Sequence, residues 1–128
     1  MCIRDSYESE YADLCVQRGV GTLPYYSLAR GYLTGKYRAG TVVDSVRAKG
    51  AAAYVDERGE RVLAALETVA DAHAVTMPAV ALAWLRTRPA VVAPIASART
   101  AEQLADLLPM ATLHLAADEI ALLDDASA

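Results

Sequence analysis

The sequence predicts an α/β fold with parallel strands and helical crossovers, rich in helix and limited to two strands. Three observations carry this reading. Two short apolar runs, residues 20–25 and 90–96, sit between chain breakers and read as buried strands. The segments around them repeat apolar residues at helical spacing. No hairpin turn joins the two runs, so the strands should lie parallel with helices crossing between them. Parallel sheets are covered on both faces, and two strands cannot supply that cover, so the chain should be a piece of a larger α/β domain.

Composition bounds the function. The chain has 128 residues, enough for one domain with a core. Its hydrophobic fraction is 55%, yet no window approaches a bilayer-spanning run, so no membrane partner is expected. Residues 1–10 hold no signal-peptide apolar region, and Cys2 and Cys15 have neither metal-ligand company nor disulfide spacing. Both read as free thiols of a reducing cytoplasm. Net charge is −4, but from Arg30 to Lys49 five basic residues face one acid, a local +4. A small basic island in an acidic chain fits a small anionic ligand, or a merely solvated loop, better than a nucleic acid, which needs a wider basic face.

In chain order, residues 1–6 share no periodicity with residues 7–18 and resemble translated sequencing-adapter DNA. They are expected to be non-native, with the true protein continuing upstream and residues 7–128 forming the genuine fragment. Residues 7–18 read as a helix with the stripe Tyr7, Tyr11, Leu14, Cys15 and Arg18, closed by Gly19. Gly19 and Gly21 form G-x-G ahead of a strand, the reverse of a dinucleotide phosphate loop, which excludes that motif. After the first strand, a brief helix is expected near 28–34, then a weakly patterned segment over 35–56.

Residues 57–73 form the clearest helix, with the stripe Val62, Leu63, Leu66, Val69 and Ala70, and with His73 as a donor at its end. Thr76 caps the next helix, whose apolar run through Leu85 makes it buried on several sides, with Trp84 in the core. After the second strand, Thr100 and Gln103 fit a capping box for a helix over 100–108. A last helix over 117–125 lacks a good capping residue and should lean on Asp118 and Glu119 at its start.

Three motifs carry a resemblance. Pro24-Tyr25-Tyr26-Ser27-Leu28-Ala29-Arg30-Gly31-Tyr32-Leu33-Thr34-Gly35-Lys36-Tyr37 resembles the loop after the seventh barrel strand of bacterial aldo-keto reductases. The run Thr76-Met77-Pro78-Ala79-Val80-Ala81-Leu82-Ala83-Trp84-Leu85 is similar to their buried helix. Pro94-Ile95-Ala96-Ser97-Ala98-Arg99-Thr100-Ala101-Glu102-Gln103-Leu104 is similar to their loop after the eighth strand.

The resemblance implies the C-terminal part of a (β/α)8 TIM barrel, left incomplete here. It implies NADPH, with NADH possible, as cofactor and a small carbonyl compound as substrate. Tyr25 would stack on the nicotinamide, and Ser27, Leu28, Ala29, Arg30 and Lys36 would lie along the pyrophosphate. Arg47 would close over the cofactor, while Ser97, Ala98 and Arg99 would meet the adenosine 2′-phosphate. Gln103 would reach the same end or serve the capping box, and Asp106 would stand at the adenine with Leu107, which cannot hydrogen-bond, in place of a polar residue. Tyr26 belongs either to the core or to the substrate rim. The family's catalytic Asp, Tyr, Lys and His would all come from earlier strands, so no catalytic residue is assigned. A cofactor-sensing, non-catalytic regulatory subunit of the same superfamily is the alternative.

Overall fold

In the computed structural model, which describes residues 3–44 and 48–128, a π-helical stretch Ile3–Tyr11 runs into helix α1, Ala12–Arg18. A 3-10 segment, Ala29–Thr34, broken by non-helical backbone at Arg30 and Gly31, follows. Then come α2 (Ala48–Ala51), a second 3-10 turn (Ala52–Tyr54), α3 (Glu57–His73) and α4 (Met77–Arg86). Helix α5 (Ala101–Leu107), a 3-10 turn (Leu108–Ala111) and α6 (Ala117–Ser127) complete the chain.

The two expected strands meet but do not extend. Among the described residues they form a single parallel bridge, Thr22 to Val91. The Thr22 N–H donates to the Ala90 carbonyl at 2.8 Å, and Val92 N–H returns to the Thr22 carbonyl at 2.9 Å. The parallel direction agrees with the sequence reading; the two-strand sheet is reduced to this one bridge. Gly21 makes the approach possible, because a Cβ there would collide with Val92 Cγ2. Val20, Leu23, Val92 and Ile95, which flank the bridge, are all more than half exposed. A parallel pair needs cover on both faces to become a sheet, and none of these four side chains has it.

Helix α3 is the hub. Asp56 starts it by accepting the Gly59 N–H on its carboxylate at 2.6 Å. Every residue of the expected stripe is buried. Val62, Leu66, Val69 and Ala70 pack with Val80 and Ala81 of α4 and Leu123 of α6. Leu63, fully buried, faces the other way, onto Ala29, Tyr32 and Ala51. Helix α4 is buried nearly throughout, from Pro78 to Ala83 and at Leu85. No single helix among the described residues is long and apolar enough to cross a membrane; α3 and α4 pass together only as a pair bent by 97°.

Polar contacts lock the periphery. Trp84 is half-buried, with its indole N–H on Asp124 Oδ1 at 2.8 Å and the Arg88 guanidinium 4.5 Å above its ring. Arg88 also bridges Asp124 at 3.2 Å and Glu8 at 3.7 Å, so it ties the N-terminal helical segment to α4 and α6. His73 exceeds its expected role as a helix-end donor: its Nε2 lies 2.7 Å from Glu119 Oε1. The other oxygen of Glu119 accepts the Ala116 N–H at 2.8 Å, replacing the missing cap of α6. The expected stripe of the first helix is not a core face. Tyr11 and Leu14 are about half exposed, and Ala12 is the buried residue there.

Gly59 lets two elements touch α3. A Cβ at this position would collide with the Tyr54 carbonyl and lie 2.6 Å from the Tyr32 hydroxyl. That hydroxyl is fully buried and has no hydrogen-bond partner among the described residues. Burial raises its pKa above the ordinary 10.0, and Glu60 and Asp56 add to the rise. An unpaired buried hydroxyl costs about 1–3 kcal/mol, so Tyr32→Phe should unfold at equal or higher denaturant than the unsubstituted chain. A folded pKa above the unfolded value stabilises the fold in full below pH 10.0 and loses that contribution as pH rises further. Alkaline denaturation curves should therefore fall above that pH, and less steeply in Tyr32→Phe.

Candidate functional site

The chain leaves the bridge at Pro24 and folds into a tight, strained loop. Ser27 is buried, and its hydroxyl donates to the Pro24 carbonyl at 2.8 Å. Tyr26, Ala29 and Arg30 hold positive φ of 55, 49 and 58°, alongside Gly31 at 96° and Gly35 at 77°. Left-handed backbone at a non-glycine residue costs about 1–3 kcal/mol, and such clusters are typical of ligand sites. The strain is held by packing below: Ala29 and Tyr32 are clamped against Leu63. At Gly35 a Cβ would come within 2.9 Å of Met77 Sδ, the first residue of α4.

The second loop, 95–99, lies against the first. Ile95 N–H donates to the Pro24 carbonyl at 2.9 Å, so one oxygen accepts from both loops. The second loop is fixed at its far end by α5. Thr100 Oγ1 accepts the Gln103 N–H at 3.2 Å, and Gln103 Oε1 accepts the Arg99 N–H at 2.9 Å. This is a capping box displaced by one residue, since the glutamine reaches the residue before the cap.

Two cavities open along the seam. One, of about 420 Å³, lies between Tyr25, Tyr26 and Arg30 on one side and Gly50 and residues 95–97 on the other. The second, of about 880 Å³, is lined by Lys36, Arg99, Gln103, Asp106 and Leu107, among others. They share Leu28, Gly31 and Ser97, so they adjoin along one groove. Both are of the size that small-ligand pockets take. A smaller apolar cavity of about 260 Å³ lies behind Tyr25 and Tyr26, against Trp84 and Leu123.

The structure brings nine of the twelve site residues expected from the sequence to this groove. Tyr25, Ser27 and Arg30 line its first part, Leu28 and Ser97 the junction, and Lys36, Arg99, Gln103 and Asp106 the second. Ala29 faces the core, Ala98 lines neither part, and Arg47 lies outside the described residues. Gly50 is a lining residue for which the local sequence holds no signal; it sits in the weakly patterned segment and shows itself only through its contact with Arg30.

The charges of the groove are mixed. Tyr25 is 69% exposed, its ring 4.2 Å from that of Tyr26. Lys36 and the Arg99 guanidinium are exposed and have no hydrogen-bond or ion-pair partner among the described residues. Arg38, another member of the basic island, is instead paired with Glu67 at 3.0 Å. Asp44, Asp71 and Asp106 also line the second part. At the start of α5, hydrogen bonds from its own backbone and from the Thr100 hydroxyl hold the Glu102 carboxyl below its ordinary pKa. A flat exposed aromatic at one end and two free cations at the other can hold a ligand with a ring and a remote anion.

The chain matches the model of the aldo/keto reductase family over residues 1–128. It is 28% identical over 125 residues to a probable voltage-gated potassium channel subunit beta from Arabidopsis thaliana. The match covers 88% of this chain and 38% of that protein.

The Gln103 clamp has a direct consequence. A net hydrogen bond is worth about 0.5–1.5 kcal/mol, or roughly 2- to 10-fold in an equilibrium. Amide exchange at Arg99 should accelerate by that factor in Gln103→Ala and stay near its original rate in Gln103→Glu, as read by hydrogen exchange with NMR detection.

Proposed function

Because the chain belongs to the aldo/keto reductase family, whose fold is a (β/α)8 barrel, we propose that it is the cofactor-binding C-terminal portion of an NADPH-dependent carbonyl reductase. The observation that carries the reading is the groove of two adjoining cavities where the two loops meet at the Pro24 carbonyl, with Tyr25 lining one cavity and Arg99 the other. When bound, the nicotinamide would supply the hydride for a carbonyl carbon. This chain's share is orientation and electrostatics.

Tyr25 offers its exposed face as the nicotinamide shelf. Ser27, Leu28, Arg30 and Lys36 border the span for the pyrophosphate; the Ser27 proton is committed to Pro24, so that residue shapes the loop and would donate to a phosphate only by exchanging this bond. Arg99, with a free guanidinium fork, would grip the 2′-phosphate, which a lysine would meet only as a point charge. Gln103 acts through the Arg99 backbone. Asp106 and Leu107 border the adenine end, where Leu107 offers packing and no hydrogen bond.

The chain as a fragment of a longer barrel is part of the same reading. It spans 38% of the channel-subunit relative, and the parallel bridge leaves four flanking apolar side chains in water, where neighbouring strands would cover them. The catalytic acid for the carbonyl oxygen is assigned to strands outside this chain. A second reading, a cofactor-sensing regulatory subunit, is favoured by the channel-subunit description of that relative. The two differ upstream: an intact catalytic set supports the reductase, a broken one the sensor.

Isothermal titration with NADPH and NADH tests the cofactor. Charge-assisted hydrogen bonds are worth about 1.5–3 kcal/mol, so Arg99→Ala should weaken NADPH by about 10- to 100-fold and NADH far less. Equal losses for both would remove the 2′-phosphate from the account. The 128-residue chain with NADPH and a simple aldehyde should show no turnover.

A further inference from the structure

We propose that Arg30 is a positioning residue that acts through Tyr26, and that the absence of a side chain at Gly50 is what admits it. The Arg30 guanidinium lies 5.0 Å from the centroid of the Tyr26 ring. On its other side runs α2: a Cβ built on Gly50 would sit 2.9 Å from Arg30 Cδ and 3.3 Å from Nη1. Arg30 thus occupies a slot between an aromatic face and bare backbone. It has no hydrogen bond or ion pair among the described residues, so the ring is its partner.

Tyr26 is in turn the ring partner of Tyr25, at 4.2 Å and tilted by 38°. A largely exposed tyrosine would otherwise exchange between side-chain rotamers. Tyr26 limits that exchange for Tyr25, and Arg30 holds Tyr26 through attraction of a cation to the ring face. The left-handed backbone at Tyr26 and Arg30 belongs to the turn that folds the arginine back over the ring. Arg30, Tyr26 and Tyr25 form a brace whose outer surface is the shelf. The brace rests on the reading of Tyr25 as the nicotinamide shelf. It changes the role of Arg30 from pyrophosphate contact to support, and it makes the segment around Gly50 part of the site. A Cβ at position 50 meets the movable end of a side chain, so a substitution there displaces Arg30 without requiring the fold to shift.

The brace is tested first in the ligand-free 128-residue chain by NMR. The Arg30 Hδ resonances should lie upfield under the Tyr26 ring current, and both Tyr26→Leu and Gly50→Val should abolish that shift, with Gly50→Ala reducing it. Reduced nicotinamide mononucleotide and 2′,5′-ADP are then titrated separately. Arg30→Ala, Tyr26→Leu and Gly50→Val should each weaken the mononucleotide by about 3- to 10-fold, in line with one lost cation–ring contact. Binding of 2′,5′-ADP should stay unchanged, and Arg30→Ala combined with Tyr26→Leu should weaken no more than either alone. Arg30→Lys, which keeps a cation, should retain much of the affinity. An Arg30 signal without the shift, or one untouched by Gly50→Val, overturns the brace. So does a loss in Arg30→Ala that Tyr26→Leu does not reproduce, which would return Arg30 to phosphate binding. If the unsubstituted chain binds neither probe, the cofactor reading fails, and the ligand-free shift still decides the brace.

Discussion

One carbonyl oxygen holds the site together. Pro24 O accepts the Ser27 hydroxyl from its own loop and the Ile95 N–H from a loop seventy residues away. Proline has no N–H to give, so its contribution to the pairing is this acceptor alone. The bond pair sits one step beyond the Thr22 to Val91 bridge and converts a parallel contact into a seam between two loops. Both loops of the groove start from it: the strained turn begins there, and the capped loop of Arg99 is anchored there at its near end.

Helix α3 offsets the cost of the seam. Its two opposed faces bury Leu66 and Val69 against α4 and α6, and Leu63 against the loop helix. Burying one such side chain is worth about 1.5–3 kcal/mol, comparable to the strain of a left-handed residue in the loop. Leu63 therefore couples the buried face of α3 to the strained loop. The bridge has no such backing. Its exposed valines, leucine and isoleucine leave it without apolar cover.

Helices were legible in the sequence because their signals are local. The 57–73 helix and the Thr76 and Thr100 caps each depend on residues within one turn. The strands were less legible, since a parallel pair depends on partners elsewhere in the chain or outside it. The first helix shows the opposite error: a convincing stripe from Tyr7 to Arg18 that the structure leaves largely in water. Tyr25, Lys36, Arg99 and Gln103 were found by motif resemblance, and the structure places them along one groove. Gly50 and the Glu119 bond to His73 were invisible, because nothing in the neighbouring residues encodes a contact made across the fold.

The central claim is that two distant loops form one dinucleotide groove. Backbone amide shifts of the 128-residue chain, followed by NMR as NADPH is added, test it most directly. A shared groove predicts that amides of residues 25–36 and of residues 95–103 move together with one saturation curve. Movement confined to one of these loops, or two curves with different midpoints, would contradict a shared site.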